Sequence, residues 1–300
     1  MSGPCLLCPR RCGVVRPQTP TQEHLPGVCA SPLMPVAARA ALHHWEEPVI
    51  SGTRGSGAVF FGGCNLHCVF CQNHRISTRP EGKVITAARL REIYFELIAQ
   101  GAHNINLVTP THFTEAILTT LEEPLPVPVV WNSNGYERVE TLRRLKGKVQ
   151  IYLPDLKYAD NRLAARYCGA PDYFETARAA ILEMFSQTGP FRMGEDGVLR
   201  SGVVIRHLIL PGCTENSRRV IDFVAETFRP GEVLFSLMRQ YLPCGKVSSA
   251  AFPELNRRIT EEEYREVEQY LFDSPVEDGF VQEADSAREE FIPVFDGSGV

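Results

Sequence analysis

Short apolar runs alternate with amphipathic segments through most of this chain. The apolar runs occupy residues 58–61, 105–108, 127–131, 150–153, 203–210 and 233–237. Between the first two runs, Leu90, Ile93 and Leu97 recur at helical spacing, and Gly101 ends that pattern. Strands separated by helices in this way predict βαβ units, right-handed crossovers and a parallel sheet. Six such units predict an α/β fold in the form of an open, partial (β/α)6 barrel.

The remaining segments complete the predicted secondary structure. Helices are predicted for residues 37–44, 114–122, 161–167, 173–185 and 261–272, and two more helices end near residues 145 and 228. Thr260 and Glu263 form a predicted capping box for the last helix. Residues 192–200 are a predicted hairpin-like excursion, and residues 291–300 are a candidate extra strand.

The pattern divides the chain into three parts. Residues 1–50 are predicted to be a Cys-rich segment that binds a metal or cluster, residues 51–245 the partial barrel, and residues 246–300 a C-terminal helix and tail packing on the barrel. In barrels of this kind the active site lies at the carboxyl ends of the strands. We therefore expect the functional residues in the loops that follow the apolar runs.

Composition narrows the function class. The net charge of −5 disfavours a general nucleic-acid or anionic-membrane surface. There is no run of about 18 apolar residues, and the first residues lack the apolar core of a signal peptide. Ten cysteines in such a chain indicate metal or redox chemistry in a reducing compartment rather than disulfides. We expect a cytoplasmic metalloprotein with neither nucleic acid nor membrane as a partner.

Three cysteines lie on one tight loop after the first apolar run. Cys64, Cys68 and Cys71 follow a Gly62-Gly63 turn. Iron–sulfur clusters are held by such thiolates, whereas a tetrahedral structural zinc site needs a fourth ligand, which this stretch lacks. A four-iron cluster with three protein ligands leaves one iron free for a small molecule. The alternatives are a zinc knuckle or buried thiols.

This C-x3-C-x2-C spacing after a strand, with Phe70 just before the last cysteine, resembles the radical S-adenosylmethionine superfamily. The resemblance implies the barrel type, a 4Fe–4S cluster on Cys64, Cys68 and Cys71, and S-adenosylmethionine chelated by the free iron. It implies reductive cleavage of that cofactor to a 5′-deoxyadenosyl radical, which abstracts hydrogen from a substrate. It also implies Phe70 as a cofactor neighbour and a reductant such as flavodoxin or ferredoxin.

A second cysteine group precedes the barrel, with the spacing C-x2-C-x3-C-x16-C: Cys5, Cys8, Cys12 and Cys29. Prolines and glycines surround these residues, so a long helix or strand is not expected there. Four thiolates can hold structural zinc or a second iron–sulfur cluster, and the spacing does not separate the two. Four unligated thiols are the third possibility.

Polar residues follow the later strands, and several match the same family. The loop after the second strand lacks the family's Gly-Gly-Glu, and Thr109, Thr111 and His112 are candidates to replace it, with a helix-cap role as the alternative for His112. The segment from Asn132 through Ser133 and Asn134 resembles the Asp/Asn-Thr-Asn-Gly segment of glycyl-radical-enzyme activating enzymes, and Asp155 with Lys157 matches their Asp-x-Lys motif. A surface ion pair is the alternative for that motif. In that group these five positions line the cofactor and substrate cleft. Arg206, on a stretch that also resembles the group, is expected either to face the cofactor or to form a structural pair, and Gln240 is a candidate cofactor neighbour because it follows the sixth strand.

Within the superfamily the chain looks like a branch related to pyruvate formate-lyase activating enzyme, with an extra N-terminal four-Cys group. The implied substrate is either a glycine on a partner protein or a small molecule. The alternative function is a non-catalytic iron–sulfur or zinc protein acting as a redox module or carrier. Cys213 and Cys244 follow the last two strands and are expected to be buried apolar side chains or hydrogen-atom donors.

Overall fold

A computed structural model describes residues 3–20, 25–79, 81–282 and 293–300. The strands are Val36–His43 (β1), Ser56–Phe61 (β2), Lys83–Val84 (β3), Ile105–Val108 (β4), Val129–Ser133 (β5), Ile151–Pro154 (β6), Arg192–Met193 (β7), Leu199–Leu208 (β8), Leu234–Met238 (β9) and Gly279–Val281 (β10). The helices are Pro48–Ser51 (α1), His74–Ser77 (α2), Ala87–Ala99 (α3), Thr114–Thr120 (α4), Val139–Arg143 (α5), Asn161–Cys168 (α6), Tyr173–Thr188 (α7), Thr214–Thr227 (α8) and Glu261–Phe272 (α9).

The strands form one twisted sheet with a parallel centre. Its order among the described strands is β10-β9-β8-β6-β5-β4-β2-β1-β3, with β7 paired to β8, so this sheet is open rather than closed into a ring. Strands β2, β4, β5, β6, β8 and β9 run parallel to their neighbours in this series. These are the six predicted strands, and the prediction of a partial barrel is confirmed. The predicted hairpin is also present, as β7 pairs antiparallel with β8.

The prediction of a helix at residues 37–44 is wrong, because this segment is strand β1. It pairs antiparallel with β2, from Ala37 opposite Phe61 to His43 opposite Ser56. Alanine favours helix, but Ala37 and Ala38 are almost fully buried in the sheet. Tertiary pairing overrides the local propensity here. Strand β1 therefore belongs to the sheet. The boundary at residue 50 between the Cys-rich segment and the barrel stays a prediction.

Helix α1 closes the bottom of the barrel interior. Its Val49 and Ile50 pack in one apolar cluster with Val130, Leu153 and Val204 of strands β5, β6 and β8. Side chains two residues apart on a strand share a face. The next interior positions on these three strands are therefore polar, and they lie above this apolar floor.

The outer helices and the C-terminal tail cover the rest of the sheet. Helix α3 buries Leu90, Ile93 and Leu97, as the spacing predicts, and helix α9 begins with the predicted capping box of Thr260 and Glu263. Phe291 and Ile292 of the candidate extra strand lie outside the described residues; residues 293–300 run beside β1, where Ala40 donates to the Ser298 carbonyl, but they are not assigned as a strand. Across the described ranges, no helix has the length and apolar character needed to cross a membrane.

Candidate active site

The cysteine loop begins where β2 ends. Gly62 and Gly63 turn the chain there, and Gly63 has a φ of 87°, a conformation that favours glycine. A Cβ at Gly63 would clash with the Ser31 hydroxyl and would lie 2.6 Å from the Cys29 carbonyl oxygen. Inside the loop, the Leu66 amide donates to the Cys64 sulfur at 3.3 Å. One side of the turn thus packs against the N-terminal segment at Cys29 and Ser31. The loop cysteines lie on the opposite side.

The other side of the loop is a cavity of about 750 Å³ at the carboxyl ends of the strands. Its lining includes all three loop cysteines, Cys64, Cys68 and Cys71. It also includes most of the predicted cofactor neighbours: Phe70, Thr109, Asn132, Ser133, Asn134, Asp155, Lys157, Arg206 and Gln240. The fold therefore gathers into one space residues as far apart in the chain as Cys64 and Gln240.

Charged side chains at the base of this cavity form one connected network. Lys157 Nζ lies 2.6 Å from Asp155 Oδ2, and Arg206 Nη2 lies 2.9 Å from Asp155 Oδ1. Arg206 Nη1 also lies 3.1 Å from Glu46 Oε2, and Asn132 donates to the other oxygen of Glu46 at 3.1 Å. All four charged side chains are largely buried. Asp155 and Lys157 therefore belong to a buried network. The alternative given for the Asp-x-Lys motif, an ion pair on the protein surface, is wrong.

Burial and pairing act against each other on the pKa values of this network. Burial alone would raise the pKa of Asp155, but the Arg206 and Lys157 charges hold it below its ordinary value. Burial alone would lower the pKa of Lys157, but Asp155 raises it. Asp155 and Lys157 are therefore both charged at neutral pH, and each depends on its partners.

The loop thiols are protonated in the metal-free protein. Burial raises the pKa of Cys64, and it raises that of Cys71 to about 12. The pKa of Cys68 is raised by a hydrogen bond with the Cys168 thiol and by burial. Metal binding must therefore displace protons from all three.

The donor set fits an iron–sulfur cluster. Three sulfur donors open on one cavity, and Asn134 Nδ2 lies 3.4 Å from the Cys64 sulfur, so this sulfur accepts two N–H bonds of the kind that stabilise a thiolate. All ten cysteines are without a disulfide. Within the described ranges, no three Cys, His, Asp or Glu side chains converge as they would on a single metal ion. The donor chemistry of the loop is therefore that of a multi-iron cluster.

Two predicted cofactor neighbours lie outside the cavity. The Thr111 hydroxyl donates to Glu137 Oε1 at 2.6 Å, and His112 Nε2 is 2.8 Å from the Gly62 carbonyl oxygen. Thr109 adopts a φ of 59°, and a short 3-10 turn follows at Thr111–Phe113, so the chain rotates these two side chains away from the strand ends. His112 is neither a simple helix cap nor a cavity residue, because it secures the turn that leads into the cysteine loop.

Glu46 and Glu47 reach the barrel interior from the segment before α1, and neither is among the site residues predicted from the sequence. Glu46 lines the cavity, and Glu47 lies beneath it with one carboxylate oxygen lacking a hydrogen-bond partner among the described residues. Burial raises the pKa of Glu47 to about 7, although Arg206 opposes the shift. The sequence feature that could have indicated them is a pair of adjacent acidic residues directly before Pro48, followed by the apolar Val49 and Ile50.

The N-terminal cysteines lie apart from the cavity. Cys8 and Cys29 are buried, and Cys5 and Cys12 are half-buried. The segment packs on the outside of the Gly62-Gly63 turn, behind the cysteine loop. Of the two later cysteines, Cys244 donates to the Phe70 carbonyl at 3.1 Å, and Cys213 is buried at the start of α8.

Comparison with known proteins is consistent with this geometry. An uncharacterized protein of Methanocaldococcus jannaschii is 32% identical over 243 residues, 77% of this chain and 64% of the relative. The chain thus spans a little under two thirds of that relative's length. Among solved structures, SuiB of Streptococcus suis bound to S-adenosylmethionine has a TM-score of 0.50 at 16% identity, covering 76% of this chain and 50% of SuiB. That likeness concerns the fold alone.

A domain of pyruvate-formate lyase-activating enzyme from Bacteroides vulgatus has a TM-score of 0.37 at 15% identity, over 66% of this chain and 91% of that domain. This likeness is too distant to bear on an activating role. The family model of the Radical SAM superfamily matches residues 58–224, which is more than half of the chain and contains the cysteine loop. The superfamily uses a 4Fe–4S cluster with S-adenosylmethionine, and this chain belongs to it.

Proposed function

We propose that this chain binds a 4Fe–4S cluster through Cys64, Cys68 and Cys71, cleaves S-adenosylmethionine reductively there, and abstracts hydrogen from a substrate in the same cavity. One observation carries the proposal. The three cysteines share a cavity of about 750 Å³ with the charged network of Asp155, Lys157 and Arg206. A pocket of that size accommodates a cofactor together with a substrate group.

The network supplies what the methionine end of the cofactor needs. When bound and reduced, the cluster supplies the electron that breaks the cofactor's sulfonium bond and yields a 5′-deoxyadenosyl radical. Arg206 and Lys157 are donors suited to a carboxylate, and Asp155 and Glu46 are acceptors suited to an ammonium. Because these groups already hold one another in place, little ordering is left to binding.

The other lining residues orient the cofactor and keep water out. Asn132, Ser133, Asn134, Thr109 and Gln240 offer hydrogen bonds around the cavity. Phe70 packs edge-on against Tyr241, with ring centroids 5.8 Å apart, so its ring has a fixed place beside Cys71. We assign these residues to cofactor binding within this proposal.

The substrate defines two forms of the proposal. In one, the chain acts like a glycyl-radical-enzyme activase on a glycine of a partner protein; in the other, the substrate is a small molecule. The Asn-Ser-Asn-Gly segment and the Asp-x-Lys motif support the first form. Reduced flavodoxin or ferredoxin is the proposed electron donor in both.

The test is anaerobic reconstitution with iron and sulfide, reduction with dithionite, and addition of S-adenosylmethionine. We expect 5′-deoxyadenosine from the wild-type chain and none from Cys68→Ala. Cys213→Ala is the matched control, because this cysteine is buried outside the cavity, and it should form product normally. A fully loaded wild-type cluster that yields no 5′-deoxyadenosine would favour the second function, a non-catalytic carrier, which the separate four-cysteine group supports.

A further inference from the structure

The N-terminal segment, residues 3–20 and 25–31, folds its four cysteines near one another, although within the described ranges no three of them converge as they would on a single metal ion. The Cys5 amide donates to the Val14 carbonyl at 2.8 Å, and the Gly13 amide donates back to the Cys5 carbonyl at 3.1 Å, so residues 5–14 form a closed turn that contains Cys8 and Cys12. The Cys12 sulfur lies 3.2 Å from the position that a Cβ would take on Gly27, two residues before Cys29. Cys8 is close enough to both Cys29 and Cys5 to interact with them electrostatically.

This segment has almost no hydrophobic core of its own. Its described residues include no helix and no strand, and few of its apolar side chains are buried, among them Leu7 and Leu25. A segment without a core of its own needs a covalent or metal staple. Disulfides are absent among these cysteines, and four thiolates are the donor set of closed zinc and iron–sulfur sites.

Arg10 connects this segment to the cysteine loop of the active site. It lies two residues after Cys8, and its guanidinium donates to the carbonyl oxygens of Asn65 at 2.8 Å and Cys168 at 2.7 Å. A third, longer bond reaches the Leu66 carbonyl at 3.4 Å. Asn65 and Leu66 are the residues between Cys64 and Cys68, so one side chain fastens the first half of the loop.

Arg16 makes the second connection, at the turn before the loop. It is buried, and it donates to the carbonyls of Ser31 at 2.8 Å and His112 at 2.6 Å. The His112 ring in turn contacts the Gly62 carbonyl at 2.8 Å. The turn that introduces the loop is therefore held by a residue placed between Cys12 and Cys29.

We propose that Cys5, Cys8, Cys12 and Cys29 bind a thiophilic metal centre, zinc or an iron–sulfur cluster, that positions Arg10 and Arg16 and thereby holds the Cys64 loop in shape for its own cluster. The two guanidinium groups act on backbone carbonyls of the loop and of the segments beside it, so they are positioning residues. Without the centre the segment loses its staple, and these carbonyls lose their charged donors.

The first experiment isolates the N-terminal centre by combining Cys64→Ala, Cys68→Ala and Cys71→Ala. Zinc, iron and acid-labile sulfide are then counted per chain after anaerobic purification. We expect about one zinc, or about four iron with matching sulfide, and loss of that metal when Cys5→Ser and Cys8→Ser are added. Either metal supports the site. A triple variant that holds no stoichiometric metal overturns it.

The second experiment tests the coupling with Arg10→Gln. Its matched control is Arg138→Gln, because Arg138 also anchors the N-terminal segment, through the Leu6 carbonyl, but does not reach the cysteine loop. We expect Arg10→Gln to keep the N-terminal metal while the amides of residues 64–68 exchange hydrogen about ten- to a hundredfold faster.

The electron paramagnetic resonance signal of the reduced loop cluster, with and without S-adenosylmethionine, is the companion measurement. The signal should change in Arg10→Gln and not in Arg138→Gln. Wild-type exchange and a wild-type signal in Arg10→Gln would overturn the coupling. The metal count and the hydrogen exchange need no loop cluster, so they stay readable if the proposed function fails, whereas the resonance signal rests on the loop cluster that the proposed function assigns.

Discussion

The cysteine loop has two sides, and they differ in how buried charge is satisfied. The cavity side consists of Glu46, Asp155, Lys157 and Arg206, where each charged group pairs with one of opposite sign within 3.1 Å. The back side consists of Arg10, Arg16 and Glu137. There the two guanidinium groups donate to backbone carbonyls, and Glu137 accepts from the uncharged Thr111 and Trp131.

This difference in charge pairing suits the two sides of the loop to different roles, ligand binding on one side and stabilisation of the loop on the other. An ion pair on the cavity side can exchange one partner for a charged group of a ligand, because the exchange conserves the number of paired charges. The carbonyl partners on the back side belong to the loop and its neighbours, so exchanging them would deform the loop itself. The cavity side is therefore suited to recognition and the back side to holding the loop.

Asp155→Asn is the change on the cavity side with the largest expected effect on stability. It leaves Lys157 without its carboxylate partner and Arg206 with Glu46 alone. Removing one partner of a buried ion pair costs about 3–5 kcal/mol, and we expect that loss in the free energy of unfolding by urea. The exposed pair of Arg89 and Glu96 gives the control Glu96→Gln, which should show no measurable change.

The double variant Asp155→Asn with Lys157→Met tests whether the loss of stability in Asp155→Asn comes from the unpaired charge of Lys157. It removes the unpaired cation together with its former partner, so part of the lost stability should return. A single variant as stable as the wild type would show that the cavity-side charges are hydrated rather than paired, and it would remove the contrast between the two sides.

The sequence predicted the cavity side well, because its residues follow apolar runs. The carboxyl ends of parallel strands meet at one edge, so strand order brings Asn132 and Asp155 together. Arg206 lies within its strand, and the family resemblance was needed to add it to them. Glu46 could not be placed with them, since it enters from a segment before the first parallel strand, and only the packing of α1 under the barrel brings it there.

The back side was beyond sequence reasoning for a related reason. Apart from the bonds of Arg16 to Ser31 and Pro32, the bonds of Arg10 and Arg16 reach backbone carbonyls about 55 to 160 positions away, and such carbonyls leave no residue-type signal. Thr111 and His112 were placed on the cavity side because they follow a strand. The positive φ of Thr109 turns them to the back.

Glu137→Gln tests the back side of the loop. Its expected effect on the free energy of unfolding is smaller than that of Asp155→Asn and depends on pH. Burial raises the pKa of Glu137 from 4.5 to about 7 in the folded protein. Between these values the unfolded chain releases a proton that the folded protein keeps, so the wild type loses stability as pH rises. The total loss is about 3 kcal/mol and is complete above pH 7.

Glu137→Gln cannot titrate at this position, so its stability relative to the wild type should rise by about this amount when unfolding is measured from pH 5 to pH 8. The contribution of Glu47, whose pKa is also raised to about 7, stays the same in both proteins. Glu122→Gln, at an exposed position, should keep the wild-type slope. An unchanged slope in Glu137→Gln would mean that Glu137 is ionised in the folded protein. The back side would then hold a counter-ion for its cations, contrary to the comparison above.

Cys244→Ala has the smallest expected effect, because Cys244 lies at the flank of the loop. Its thiol donates to the Phe70 carbonyl, and neither it nor Cys213 is among the residues that line the cavity. A thiol is a weak donor, so we expect a loss of less than about 1 kcal/mol in stability. Cleavage of S-adenosylmethionine and turnover of substrate should both survive in Cys244→Ala and in Cys213→Ala. A variant that still cleaves the cofactor but no longer turns over substrate would make that cysteine a hydrogen-atom donor. The cavity would then have to extend during the reaction, past Phe70 to reach Cys244 or toward α8 to reach Cys213.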